Sequence, residues 1–383
     1  MFEMMLVGVF TFLSFLMGVA QFIFGGIIDK VAESIGVSIA AVGQLTTVYS
    51  LTAEIGTPIV MILGARFPRH KLLFFGLINM VLGNALTFTA SNFTVLLFAR
   101  MLVGLGAGVY GINAFSIIAD AAKPERRGRD LSMISIGASF ALVVGVPFSR
   151  IITSLFDWRY IFVGLSLFTL ILAIILFFIL KSSNTQEPAP LKEQLSYLFK
   201  PQTALLFMVT FSMFIGYSIM NTYVTPFLLN LSTDLETIIS MVLLGLGISS
   251  VIGSRTGGVL ADKFGATKTI MMALLVQVIS LILVTVLNQM IYVVIPALFI
   301  WAISAWTCGP IFNLNINNRF TQGTGILLSI NGTMVQFGFA GGAILGGIIV
   351  ENYGIQMISL LATGMAILAF ALFYFESKVN TKH

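Results

Sequence analysis

Two residues of this 383-residue chain carry charge where the surrounding sequence supplies no water to solvate it. Glu54 lies in the apolar run 39–63, and Arg100 near the start of the apolar run 93–119. A charged side chain at mid-bilayer costs roughly 2.5 to 3.5 kcal/mol on insertion scales, so such residues mark function unless they serve as structural partners. A carboxyl group there can carry a proton, since loss of water favours its neutral form and an approaching cation its charged form. The two residues are also of opposite sign and could pair. The alternatives are that Glu54 hydrogen-bonds a neighbouring helix without titrating, and that Arg100 holds its helix to carbonyls rather than tuning Glu54.

Other chemistries lack their parts. His70 and His383 fall outside the apolar runs, and Cys308 is the single cysteine, so neither a metal set nor a disulfide framework is expected. No two acids occupy adjacent turns of one apolar run, which leaves an intramembrane enzyme only a remote alternative. Gly104, Gly106, Gly108, Gly338, Gly341, Gly342, Gly346 and Gly347 read as close-packing positions. No strand precedes them, and no Gly-Lys-Ser/Thr follows to make a phosphate loop. No cofactor or metal is expected. The net charge of +5 is spread singly over short connections, which excludes nucleic acid as a partner.

The elements that position these residues follow from composition. Residues are 58% hydrophobic and 9% charged, against about a quarter charged in a soluble domain, so lipid is the solvent. A bilayer core of about 30 Å takes roughly 20 apolar residues per helix. Breaks at polar, Gly and Pro clusters give spans at 4–27, 39–63, 72–90, 93–119, 131–154 and 159–180, then 203–230, 236–260, 268–287, 290–314, 325–350 and 355–375. The first, with no basic region and no cleavage site before Asp29, reads as a retained span. The fold class is an all-α membrane protein of twelve transmembrane helices in two six-helix halves, 1–180 and 203–383. A polar linker at 181–202, with Pro188 and Pro190, joins them. Lys and Arg concentrate in alternate connections, from Arg66, Arg69 and Lys71 through Lys123, Arg126, Arg127 and Arg129 to Lys181, Lys192, Lys200, Arg255, Lys263, Lys268, Arg319, Lys378 and Lys382. Only Lys30, Arg150 and Arg159 fall on the other side, so both termini are expected in the cytoplasm. Asp120, at the inner end of its span, is placed to latch with Arg66 or Arg69.

An internal repeat supports the division. Leu63-Gly64-Ala65-Arg66-Phe67-Pro68-Arg69-His70-Lys71 aligns with Leu260-Ala261-Asp262-Lys263-Phe264-Gly265-Ala266-Thr267-Lys268, each joining the second and third helices of its half. The segment Gly257-Gly258-Val259-Leu260-Ala261-Asp262-Lys263-Phe264-Gly265 resembles the loop signature of the major facilitator superfamily. Arg100-Met101-Leu102-Val103-Gly104-Leu105-Gly106-Ala107-Gly108 resembles its helix 4 motif, and Gly137 through Gly145-Val146-Pro147 its helix 5 antiporter motif. With Asp157-Trp158-Arg159, these place the chain near the twelve-span drug:proton antiporter group. Gln44-Leu45, Tyr49 and the stretch Trp301 to Pro310 are similar to the bacterial branch of sugar, chloramphenicol and purine-nucleoside efflux proteins. One departure is that Gln21 stands before Gly25-Gly26 where that branch usually has a Glu.

The resemblance implies a pseudo-symmetric major facilitator fold and a multi-pass protein of the bacterial cytoplasmic membrane. It implies a monomer in contact with lipids that exports a small molecule, such as a drug, nucleoside or sugar, in exchange for protons by alternating access. Glu54 and Arg100 would couple to protons. Helices 1, 4, 5, 7, 10 and 11 would border the substrate path, nominating Gln21, Tyr110, Asn113, Ser139, Tyr217, Asn221, Trp306, Asn313, Asn331 and Gln336. Asp262 with Lys263 would form a conformational latch that the first half, with Ala65, lacks. The missing acid in helix 1 keeps a proton-independent facilitator as the alternative.

Overall fold

In hydrocarbon no water can satisfy a backbone N–H or C=O, so each spanning segment must pair its own and becomes a helix. The computed structural model describes residues 2–123, 126–180, 201–320 and 324–380. Among them, twelve helices are long and apolar enough to cross a membrane, and no strand occurs. They are α1 Met4–Ile35, α2 Ile39–Leu63, α3 Arg69–Thr89, α4 Phe93–Ala121, α5 Arg127–Leu155, α6 Arg159–Ile179, α7 Thr203–Leu231, α8 Ile239–Phe264, α9 Ala266–Val286, α10 Ile291–Arg319, α11 Thr324–Tyr353 and α12 Ile355–Lys378. Residues 181–200 of the expected linker, with Lys181, Pro188, Pro190, Lys192 and Lys200, lie outside the described residues, as do Lys382 and His383.

The chain divides into two compact units, Met1–Pro188 and Ala189–His383. In the first, α3 packs along α4 and α6, α1 against α5, and α2 against α1 and α4. Six helices later most of these partners recur in the second: α9 packs along α10 and α12, α7 against α11, and α8 against α10, while α7 packs closely on α12 and, among the described residues, α8 lacks the close contact with α7 that α2 makes with α1. The two units therefore share the core of one packing scheme and differ at their first helices.

Close approach of backbones makes this packing possible. At the α3–α4 crossing, a Cβ on Gly76 would stand 2.8 Å from the Gly106 carbonyl oxygen and 2.9 Å from the Tyr110 nitrogen. At the α2–α4 crossing, Gly104 lies against the main chain of Tyr49. Apolar side chains gain little by facing one another rather than lipid, so contact at small residues supplies much of the association.

Three features depart from the sequence reading. Helix α1 continues through Asp29, Lys30 and Glu33 to Ile35 instead of ending near residue 27, because Asp29 is held inside the unit by Arg150 of α5. Arg150, which the sequence places inside the span 131–154 but counts with the outer charges, is accordingly buried. Helices α2 and α5 each contain a π-helical turn, Thr52–Gly56 and Ala141–Gly145, and each turn runs into a Gly-X-Pro step at Pro58 and Pro147. A proline inside a helix removes one hydrogen bond and crowds the preceding turn, and a wider turn just ahead of it relieves both.

Gly76→Val is expected to lower stability by about 1 to 3 kcal/mol through overpacking against backbone that cannot move aside. Thermal melting of the purified protein measures it, with Gly111→Ala as the control, since nothing lies within 4 Å of a Cβ there.

Candidate functional site

Arg100 is wholly buried, and its environment is built from three helices of the first unit. Nη1 donates to the Ala20 carbonyl of α1 at 2.8 Å, and Nε to the Leu45 carbonyl of α2 at 3.5 Å. The guanidinium also lies 4.8 Å from the ring centroids of both Phe24 and Tyr49, so two π faces flank the cation. Gly104, one turn further along α4, lets the Tyr49 backbone approach and sets that ring over the arginine. Nη2 is buried and has no hydrogen-bond partner among the described residues.

The expected pair is arranged differently from direct contact. Arg100 bonds carbonyls and rings, and the Glu54 carboxylate is not among its partners. Glu54 sits in the π turn of α2, partly exposed and close enough to Tyr49 to interact with it electrostatically. Tyr49 thus interacts with both the acid and the base. Gln21, partly exposed, follows directly on Ala20, whose carbonyl Arg100 engages.

The remaining nominated residues of this unit are mostly satisfied internally. The Tyr110 hydroxyl donates to the Phe10 carbonyl at 2.9 Å and lies 3.1 Å from Ser14 Oγ, with its ring stacked on Phe10. Asn113 donates to the Val109 carbonyl at 2.8 Å, while its Oδ1 is buried without a partner among the described residues. Ser139 donates back to the Ser135 carbonyl at 3.0 Å. Arg69 meets Asp120 at 2.6 Å, tying the start of α3 to the end of α4, while Arg66 is exposed.

In the second unit the structure gathers an aromatic and amide cluster on α7, α10 and α11. The Tyr217 ring stacks on Trp301 at 5.2 Å and meets Trp306, Phe214 and Phe339 at steep angles. Trp306 Nε1 donates to the Tyr217 hydroxyl at 2.9 Å, and that hydroxyl donates to Asn221 Oδ1 at 3.3 Å. Nearer the start of α7, Thr210 donates to Asn331 Oδ1 at 2.8 Å and Asn331 Nδ2 to Asn313 Oδ1 at 3.0 Å, with Asn313 exposed. Gln336 is partly exposed on α11. Asp262 and Lys263 are both exposed, and Lys263 lies 5.3 Å from the Phe264 ring. Asp262 makes no ion pair among the described residues. The start of α9 is held instead by Arg319 of α10, which bonds Glu376 of α12 and donates to Thr267 Oγ1 at 3.2 Å.

Sequence reasoning missed two charged pairs. Arg150 of α5 meets Asp29 of α1 at 2.6 Å, with side-chain exposures of 3% and 18%. Arg319 and Glu376 form the other, the glutamate being 2% exposed. In each pair one member lies close to a span boundary, where hydropathy assigns charges to connections. The available signal was an unpaired opposite charge in another span of the same half.

The Major Facilitator Superfamily model matches residues 10–340. The uncharacterized MFS-type transporter YbcL of Bacillus subtilis (strain 168) is 34% identical over 369 residues, covering 96% of this chain and 95% of that protein. A probable sugar efflux transporter of Helicobacter pylori is 24% identical over 368 residues, covering 96% and 94%. Among solved structures, a bacterial homolog of the human lysosomal transporter Spinster, inward-facing and unoccupied, superposes with a TM-score of 0.76 over 100% of this chain and 98% of that one. Its sequence identity is 15%, so the likeness is one of fold.

Asp29→Asn removes the carboxylate that buried Arg150 meets at 2.6 Å and is expected to cost about 3 to 5 kcal/mol. Asp157→Asn, which removes a carboxylate 46% exposed beside Arg159, should cost about 0 to 1 kcal/mol. Melting of the two purified variants side by side checks the difference.

Proposed function

Since the chain belongs to the major facilitator superfamily, and is therefore a multi-pass membrane transporter of small molecules rather than an enzyme, we propose that it is a proton-coupled exporter. It works by alternating access, in which binding groups on the two units are exposed first to one side of the membrane and then to the other. It lies in the bacterial cytoplasmic membrane as a monomer with both termini inside, as the bias of Lys and Arg among the connections favours.

The observation that carries the proton reading is the buried Arg100 guanidinium. It has a hydrogen-bond donor unused, and the Tyr49 ring that flanks it also interacts electrostatically with a titratable carboxyl, Glu54. With Glu54 protonated, the carbonyls of Ala20 and Leu45 and the two rings are enough to hold the cation. With Glu54 charged, the unused Nη2 donor and the positive charge stabilise the carboxylate, and the turn that carries it is a π turn before a proline, a place where a helix bends. Two arrangements of one element, biased by one proton, give a switch. Arg69 with Asp120 serves as a latch between α3 and α4, and Asp262 and Lys263, exposed at the end of α8, are available to form one in another transport state.

Solutes carried are small organic molecules such as drugs, nucleosides or sugars. The named activity of the sugar efflux relatives supports sugars as candidates. Gln21 favours a second reading, a facilitator without proton coupling, because α1 offers no carboxyl beside the Arg100 site.

A melting screen against nucleosides, sugars and antibiotics identifies the solute, because binding to the folded state alone raises apparent stability. With that solute, Glu54→Gln in liposomes is expected to retain exchange of labelled for unlabelled solute and to lose its response to an imposed pH gradient. Arg100→Ala should shift the pH at which exchange is half-maximal or abolish transport. Undiminished gradient response in Glu54→Gln contradicts the assignment.

A further inference from the structure

The second unit contains a hydrogen-bond relay whose direction is fixed by chemistry. An indole N–H only donates, so when Trp306 Nε1 donates to the Tyr217 oxygen at 2.9 Å, the hydroxyl's own proton is left for Asn221 Oδ1. The carboxamide of Asn221 therefore turns its oxygen inward and presents its amino group, and the residue is partly exposed. A second donor flanks the same ring: Trp301, stacked on Tyr217, is 2% exposed, and its Nε1–H has no acceptor among the described residues. A buried donor left without an acceptor is unfavourable, and an arriving acceptor relieves that cost. The relay from Thr210 through Asn331 runs the same way and also ends on an amide nitrogen, that of Asn313.

Aromatic rings alone would suit a planar cation as well as a neutral ring. The acids decide between them. The described residues of this unit include Asp234, Glu236, Asp262, Glu351 and Glu376, and none lies on α7 or α10. A cation at the cluster would meet amide and indole N–H groups with no acid on α7 or α10, and Glu351, the acid of α11, stands exposed near the far end of that helix, more than ten residues beyond Phe339.

We propose that this cluster binds uncharged planar solutes through a hydrogen-bond acceptor on the rim of the ring, a carbonyl oxygen or imine nitrogen, with Asn221 and Trp301 as the donors that read it. Trp306 supplies the partly exposed aromatic surface and, through Tyr217, sets the orientation of Asn221. This rests on the reading of the chain as a transporter of small organic molecules and specifies which of them it accepts.

Three probes separate the chemistries in calorimetry on the full-length protein purified in detergent. Caffeine is planar and carries acceptors without N–H donors, indole is planar with a donor alone, and ethidium is a planar cation. Caffeine should bind at least about tenfold more tightly than indole or ethidium. Asn221→Asp replaces the donor with a carboxylate, and should weaken caffeine about tenfold or more while strengthening ethidium. Trp306→Phe keeps a ring but frees the Tyr217 hydroxyl to accept from the amide, so the preference for caffeine over indole should narrow. Wild-type protein that favours indole or ethidium, or that fails to bind caffeine at millimolar concentration, overturns the proposal. So does folded Asn221→Asp with the wild-type ranking. The titrations need no gradient: a caffeine preference in a protein that shows no gradient-driven transport would overturn proton coupling and leave this assignment standing.

Discussion

A positive charge held in hydrocarbon without a carboxylate is the constraint around which the first unit is organised. Arg100 cannot reach water, so its helix must bring carbonyls and ring faces to it, and these come from α1 and α2. That requirement in turn explains Gly104, where any side chain would push Tyr49 away, and it places the π turn bearing Glu54 next to the ring that covers the arginine. The other charges of the interior act as cross-links: Asp29 with Arg150 joins α1 to α5, and Arg69 with Asp120 joins α3 to α4. One buried cation keeps an unused donor, and that distinguishes Arg100 from the cross-links.

The two units share a packing scheme and divide the chemistry. The first holds the deeply buried arginine and a π-turn acid, the groups a proton would act on. The second holds stacked and edge-on rings with amides, groups suited to an uncharged organic surface. A repeated fold allows this, because the glycine contacts that set helix approach are separate from the side chains that meet a ligand. The buried ion pairs differ in the same way: the second unit ties its helix ends with Arg319 and Glu376, and Asp262 stays exposed.

Much of the architecture was legible because lipid leaves little choice: runs of apolar residues of the right length become helices whatever their detail. Charges near span boundaries were less legible. Asp29 reads as a connection residue and Arg150 as an outer charge at the end of its span, and only their meeting across two helices shows that both belong to the interior. The π turns were also hidden, since an extra residue in one turn changes no hydropathy, although Gly56-Thr57-Pro58 and Gly145-Val146-Pro147 carry a common signature. Of the candidate site residues, Arg100, Tyr217 and Trp306 lie in networks that join several helices, while Ser139 bonds only within its own helix. The direction of the Trp306–Tyr217–Asn221 relay could not be read from sequence, because an amide's orientation depends on the donor it faces.

The central claim is that movement of solute is driven by protons. Its most direct measurement places wild-type protein in liposomes with equal labelled solute on both sides and imposes a proton gradient alone. The account predicts accumulation of solute on the side from which protons leave, collapsing when a protonophore is added. Concentrations that remain equal, with exchange unaffected by the protonophore, would show a facilitator and contradict it.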